Sequence, residues 1–370
     1  MQLSIQHFAR RALAGLVLCL PLVNASMQNA DATSTTVRVV GYSIVRSAFT
    51  ALETAFAATP AGANVTFTNS FGASGTQATN VANGQPADLV NFSLEPDIST
   101  VVASGHVAAN WKAQSVKYAG VNPSYTGKRQ QTVYTTPGIV TDSIVVFVVR
   151  PGNPKNIKDW DDLTKTGVNI INPDPRSSGS AKWNLLAGYS AQLSAGKTSA
   201  KAQDFLGRLI QNITIQPTSG SLALASFIAG NGDVLLSYED DALAAIAAGK
   251  AIQIVTPPTS FLIENPAALT KSGETNQAAK DFYKFIFSTA GQTIWAQQGY
   301  RPVLKSVATS NNSSFPKFAK AKSLYTVNAL NKQGWSAVDP MFFSPTVTFG
   351  SDKKHPKTGI VTHFLQLAGH

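Results

Sequence analysis

A strand, a Ser- and Gly-rich turn and then a helix recur along this chain, and that recurrence limits the folds open to it. Short apolar runs at residues 37–40, 65–68, 88–92, 144–149, 168–171, 233–238 and 252–255 have the length of buried strands. Between them apolar residues return at helical spacing, first as Val45, Ala48, Phe49, Leu52, Ala55 and Phe56. Further helices are predicted through Ala78, Val81 and Ala82 up to Gly84, from Ala181 onward, over 277–287 and over 291–298. Strands alternating with helices predict an α/β fold with parallel-type sheets. The 370 residues suffice for two domains, taking roughly 100–200 residues for each. The sequence shows neither a linker nor an internal repeat, so two lobes would arise from crossovers within the fold.

The N-terminus reads differently. Arg10 and Arg11 precede an apolar run at 12–23 that only Pro21 interrupts, and Val23-Asn24-Ala25 then offers small residues for cleavage. This is the layout of a secretory signal peptide over residues 1–25, with Ala30-Asp31-Ala32 as a later cut. Cys19 is the single cysteine and lies inside this segment, so the mature chain would have no disulfide. Nothing downstream holds about 18 consecutive apolar residues. The mature protein is therefore expected to be soluble and periplasmic or secreted. The net charge is +10, or +8 without Arg10 and Arg11 (28 basic against 20 acidic residues). The lysines are scattered and not interleaved with aromatics, which argues against a nucleic-acid partner and leaves a weak attraction for anions.

Three turns carry the chemistry. Ser74-Gly75, Ser178-Gly179-Ser180 and Ser219-Gly220-Ser221 each stand where a helix is predicted to begin. A helix start exposes backbone N–H groups and a partial positive charge. Glycine admits close approach, and serine adds a hydroxyl donor. The product is an anion cradle. Ordinary capping explains any one of these turns equally well; three in one exported α/β chain favour a ligand.

A longer pattern points to a family. Asn172-Pro173-Asp174-Pro175-Arg176-Ser177-Ser178-Gly179-Ser180-Ala181-Lys182-Trp183-Asn184 resembles the signature loop of the sulfate- and thiosulfate-binding proteins. Ser70-Phe71-Gly72-Ala73-Ser74-Gly75-Thr76-Gln77-Ala78 resembles their first anion loop, and Gly232-Asp233-Val234-Leu235-Leu236-Ser237-Tyr238-Glu239 and Gly299-Tyr300-Arg301-Pro302 also fit. The resemblance runs over nearly all of residues 36–340. It implies a two-lobed type II periplasmic binding protein fold with the ligand cleft between the lobes. One lobe would comprise 34–138 plus 256–345 and the other 139–255, leaving a tail at 346–370. It also implies that sulfate is held by neutral donors alone, and that the loaded monomer docks on an ABC permease in the membrane, without cofactor or metal. Carried over, Ser74, Ser178, Gly179, Ser180 and Gly220 fall on donor positions. Two further ligand positions depart from the enteric members: Tyr238 stands for a tryptophan and Ser43 for an aspartate.

The physical logic agrees on ligand class. Sulfate at neutral pH has no proton to give, so its site needs only donors; phosphate carries a proton and needs an acceptor. The three loops offer no obvious acidic side chain, which ranks sulfate or thiosulfate above phosphate and leaves molybdate and tungstate open. A secreted serine hydrolase is the rival reading, but Gly72-Ala73-Ser74-Gly75 lacks the spacing of the nucleophile elbow and no histidine pair has metal-ligand spacing. Glu239-Asp240-Asp241 reads as an acidic first helical turn, the five tryptophans as packing residues, and His355 and His363 as solvated members of a polar tail. N-terminal sequencing of the exported chain should find Ser26, or Thr33 for the later cut, as the first residue; an uncleaved Met1 would exclude the signal peptide.

Overall fold

A computed structural model describes residues 34–114, 137–310, 315, 317–345 and 358–370, so the signal segment lies outside the described residues. Within them the strands are β1 (Thr35–Tyr42), β2 (Val65–Gly72), β3 (Leu89–Asn91), β4 (Ile139–Val149), β5 (Ile170–Ile171), β6 (Ile213–Ile215), β7 (Val234–Tyr238), β8 (Gln253–Val255), β9 (Thr259–Leu269), β10 (Arg301–Pro302) and β11 (Ser323–Tyr325). Their main path runs β2-β1-β3-β9-β4-β7-β5-β6, with β8 and β10 paired to β4 and β11 to β9.

The α/β expectation holds, but the sheet is mixed. β1 pairs in parallel with β2 and β3, and β5 with β6 and β7, as the strand–helix alternation predicts. Between these groups, β3–β9, β9–β4 and β4–β7 are antiparallel. The difference comes from β9, which the apolar pattern does not reveal. Glu264, Asn265 and Pro266 interrupt it, and proline normally demotes a strand. Here Pro266 sits opposite Ile139, where the β4–β9 register shifts. Its carbonyl accepts from Phe92 N at 3.1 Å and Asn91 Nδ2 at 2.8 Å.

Both β4 and β9 change partners along their length. Residues 139–144 of β4 lie on β9, and residues 145–149 lie on β7 and β8. The far end of β9, at Ala267, Ala268 and Leu269, pairs with β3. One strand thus serves two half-sheets, and every residue of β4, the polar Thr141, Asp142 and Ser143 included, is buried.

The helices lock onto this frame through a few polar pins. The helix Gly179–Ser194 is buried almost all round, the property of a helix covered on all sides. Asn184 Nδ2 fastens it by donating to Asn172 Oδ1 and Leu236 O, both at 2.9 Å. The preceding turn is shaped by Asp174, as its Pro-flanked sequence predicts: Asp174 accepts from Arg176 N at 2.9 Å, and its carbonyl accepts from Ser178 N at 2.8 Å. The helix Gly220–Ile228 is held at its far end by Arg150, whose guanidinium donates to Phe227 O at 2.7 Å and lies 3.8 Å from the Phe227 ring centroid. A cation at a helix C-terminus meets the negative end of the dipole. The tryptophans do pack: Trp160, Trp183 and Trp295 are fully buried, and Trp160 Nε1 donates to Thr259 O at 2.8 Å.

The C-terminus departs from the expected polar tail. Residues 358–370 include a helix, Ile360–Ala368, that buries Ile360, Val361 and Leu365. Its Phe364 ring lies where a Cβ on Gly207, in the helix Ser199–Gln211, would stand 2.7 Å away. His363 therefore belongs to an amphipathic helix, because apolar residues recur on one face of a segment too short to notice beside its polar lead-in. His355 lies outside the described residues.

One buried ion pair joins the ends of the motif-bearing segments. Arg301 Nε donates to Glu239 Oε2 at 2.7 Å and its terminal nitrogen to Oε1 at 3.0 Å, with both side chains 2% exposed. It ties β10 to the corner at which β7 turns into the helix Glu239–Ala247. Breaking a buried pair from one side leaves a desolvated charge, so Glu239→Ala should destabilise the fold by about 3–5 kcal/mol, measured by urea unfolding. A loss below about 1 kcal/mol, the level of an exposed pair, would show that the pair contributes little.

Candidate functional site

The three Ser/Gly turns do begin helices: Ser74–Ala82, Gly179–Ser194 and Gly220–Ile228. Ordinary capping accounts for one of them. Ser219 is an N-cap whose side chain accepts from Leu222 N at 3.3 Å. Ala73 and Ser178, the caps of the other two, make no side-chain capping bond. The first N–H groups of a helix have no partner within it, so those of Gly179 and Ser180 require one from outside.

The turns meet. Gly75 N donates to Ser177 O at 2.9 Å. A Cβ on Gly179 would lie 2.5 Å from Ser93 Cβ and 2.6 Å from Leu94 Cδ2, so only glycine permits this approach. A Cβ on Gly220 would lie 2.6 Å from Ile44 Cδ1 and 3.1 Å from Ser180 Oγ. Ser221 N donates to Ser43 Oγ at 3.3 Å. Every residue singled out in the sequence (Ser43, Ser74, Ser178, Gly179, Ser180, Gly220 and Tyr238) belongs to this cluster or borders it. A 540 Å³ cavity opens beside Ser43, Arg46, Ala73, Ser219 and Ser221.

The hydroxyls are buried and mutually bonded. Ser178 Oγ and Ser180 Oγ stand 2.8 Å apart. Ser74 Oγ donates to Asp97 Oδ2 at 2.5 Å and accepts from Ser93 N at 2.9 Å, so its single proton points to a carboxylate. Tyr238, at the end of β7, places its hydroxyl 2.5 Å from Ser93 Oγ. Ser93 O in turn accepts from Trp183 Nε1 at 2.8 Å and Asn265 Nδ2 at 3.0 Å.

Ser93 and Asp97 are the residues that the sequence reading misses. Ser93 follows β3 and precedes the helix Glu95–Ala103, the same strand–Ser–helix order as the other turns but without a glycine. A carboxylate does reach the loops, contrary to expectation, because Asp97 comes from that helix and not from any loop. The acidic turn Glu239-Asp240-Asp241 does open a helix, yet all three residues are buried and not solvated. Asp240 accepts from Ser143 Oγ and Asp241 from Ser237 Oγ, the latter at 2.9 Å. Among the described residues no group of three or more His, Cys, Asp or Glu side chains is placed to hold a metal ion.

Burial dominates the electrostatics. It pushes Asp97 up to about 6, partly opposed by Lys182 and the Ser74 hydrogen bond. It pushes Asp240 up to about 8 and Asp241 to about 7, against the hydrogen bonds of Ser143 and Ser237. Burial also holds the Tyr42, Tyr238 and Tyr300 phenols well above their usual range.

Known proteins resemble this chain in sequence and fold. Residues 37–301 match the family described as bacterial extracellular solute-binding protein. The chain is 35% identical over 302 residues to the sulfate-binding protein of Escherichia coli K12, covering 79% of this chain and 84% of that one. It is 32% identical over 328 residues to the sulfate-binding protein of Synechococcus elongatus, covering 86% and 87%. The solved structure of the sulfate-binding protein SubI from Mycobacterium tuberculosis H37Rv has a TM-score of 0.73 and 41% identity, with 84% of this chain and all of that one covered.

The buried acids set a pH dependence. A carboxyl whose folded pKa is raised favours folding while protonated, and this stability is lost as pH rises through the folded value. For Asp97, Asp241 and Asp240 the loss begins near the ordinary value of 3.8 and is complete above about pH 6, 7 and 8 respectively. Burial also pushes Asp88 and Asp162 up, but hydrogen bonds from Arg38 and Lys165 outweigh it, so these two act only at lower pH. The melting temperature should be higher at about pH 5 than at about pH 8, and Asp240→Asn should narrow the difference. An equal melting temperature at both would contradict it.

Proposed function

This chain belongs to the sulfate-binding proteins within the family of bacterial extracellular solute-binding proteins, and we propose that it captures sulfate or thiosulfate and delivers it to an ABC permease. The family is one of binding proteins, so the serine-hydrolase reading is set aside. The supporting observation is the meeting of the Gly179 and Gly220 helix starts with the Ser74 turn, where backbone N–H groups and hydroxyls gather and Arg46, at the adjoining cavity, donates to Phe71 O.

Such a site suits a dianion that carries no proton. The helix N-termini supply partial positive charge, and the N–H groups replace the water the anion loses. Donors come from both lobes, residues 34–138 plus 256–345 and residues 139–255. Ser43 and Ser74 lie on the first; Ser178, Gly179, Ser180, Gly220 and Tyr238 lie on the second. Only the closed form presents them together, so the ligand stabilises closure by its differential affinity for that form. The same donors would accept molybdate or tungstate, with size as the discriminator. The protein works outside the cytoplasmic membrane after loss of residues 1–25, as a monomer without cofactor, metal or nucleic acid.

Removing one hydroxyl next to a desolvated dianion should cost about 1.5–3 kcal/mol, or roughly a 10- to 150-fold rise in Kd. Ser178→Ala is the direct test, by isothermal titration of residues 33–370 with sulfate, thiosulfate, molybdate and phosphate. An unchanged sulfate Kd would remove Ser178 from the site, and no binding of any of the four would remove the function.

A further inference from the structure

We propose that the exposed face of the helix Gly220–Ile228 is the surface by which the permease recognises the loaded protein, and that the contact there is aliphatic and uncharged. The inference rests on the binding and delivery reading above and adds to it the face that the partner meets.

The helix is unusual in composition. Residues 209–232 contain no charged side chain. Two other helices show the ordinary pattern: Ser199–Gln211 carries Lys201, Asp204 and Arg208, and Gln277–Phe287 carries Lys280, Asp281 and Lys284. A surface helix normally turns such residues to solvent. Here Ala223 and Phe227 face the core, while Leu222, Ala225, Ile228 and the capping Ala229 are exposed, at the three-, four- and seven-residue spacings of one helix face. Leu222 is 54% exposed and Ile228 38%; among the described residues only Ile246 and Leu367 are large apolar side chains left as open. A single exposed leucine needs no explanation, but two aliphatic side chains and two alanines on one uncharged face form a patch.

The same helix reaches the anion site. It begins at Gly220, one of the proposed donors, and a Cβ there would lie 2.6 Å from Ile44 Cδ1. Ser221 N donates to Ser43 Oγ at 3.3 Å. Leu222 lines the 540 Å³ cavity together with Ser43 and Ile44. Ser43 and Ile44 belong to one proposed lobe and the helix to the other, so closure around the anion fixes where the helix stands relative to them. A partner that grips the aliphatic face together with the bank of Ser43 meets the loaded form and not the empty one, and delivery requires that distinction. This favours the permease as the occupant. A lipid surface fits less well, because helices that lie on bilayers are rich in Lys or Arg on their polar face, and this helix has none.

The test separates docking from binding. Ala225→Lys/Ile228→Lys makes the patch positive and Ala225→Glu/Ile228→Glu makes it negative. Titration calorimetry on both mature variants should give a sulfate Kd within about twofold of the wild type, since neither side chain belongs to the donor set. Uptake of labelled sulfate at saturating concentration is then measured in the bacterium that encodes this chain, with its chromosomal copy replaced. At equal exported amounts of protein, uptake should fall at least about tenfold in both variants, as a charge buried in an apolar interface would cause, while Ile228→Leu should keep it. Ala225→Lys alone serves if a double variant fails to fold, and uptake should fall in the same direction. Wild-type uptake by both charged variants would overturn the proposal, because the face is then not contacted; wild-type uptake by one of them would overturn it by showing that the contact is electrostatic. A loss of uptake matched by a loss of sulfate affinity would overturn it by placing the effect in the anion site. Binding of the wild-type mature chain to phosphatidylglycerol vesicles, lost in both variants, would overturn it in favour of a lipid surface. Failure of the wild type to bind sulfate would instead overturn the function on which the proposal rests.

Discussion

The antiparallel pairing of β4 with β9 carries the rest of the structure. Each strand is eleven residues long and each serves two sets of partners. That shared pair sets β1, β2 and β3 on one side and β5, β6 and β7 on the other. The turns that leave β1, β2, β3, β5 and β6 are the ones that meet, with Tyr238 at the end of β7 beside them. Their contacts are tight enough that a methyl group at Gly179 or Gly220 has no room. A register slip by one residue in β4, which is buried on both faces, would exchange the side chains of those faces and separate those turns.

Polar groups at the junction follow the same constraint. Burial without a partner is costly, and here the partners come from distant parts of the sequence. Arg301 reaches Glu239, Asn265 reaches Ser93, and Asn184 reaches Asn172 and Leu236. Each bond crosses between elements that the apolar core alone would leave free to slide. The carboxyls of Asp97, Asp240 and Asp241 lie deep enough that burial, and not a neighbouring cation, decides their ionisation.

Much of this was legible from the residues. Helices at 277–287 and around 45–56 carry a clear apolar stripe, and the structure places them at Gln277–Phe287 and Arg46–Ala57. The Ser/Gly turns announce their helices because glycine and serine have few other reasons to recur before an apolar run. β9 was hidden because its inward and outward residues include Asn265 and Pro266, whose tolerance depends on a register shift that no local pattern encodes. Asp97 and Ser93 were hidden for a related reason. Proximity to the cradle comes from packing of the Glu95–Ala103 helix against the Ser74–Ala82 helix, a long-range fact. The C-terminal helix was hidden by its polar approach.

The basic character of the chain has a different origin from the ligand's charge. Arg38 pairs with Asp88 at 2.8 Å, Arg176 with Asp174 at 2.8 Å and Lys182 with Asp339 at 2.7 Å. Arg150 caps a helix C-terminus, Arg301 holds Glu239, and Arg46 donates to Phe71 O at 3.2 Å while lying over its ring. Each cation near the meeting turns already has a protein partner. A salt bridge to a ligand would require breaking one of these, leaving a carboxylate or carbonyl without its donor. Backbone N–H groups and hydroxyls carry no such obligation. A backbone N–H only donates, so it suits an anion oxygen that carries no proton. In the proposed function, net positive charge acts at long range and selection among anions falls to the neutral groups at the turns.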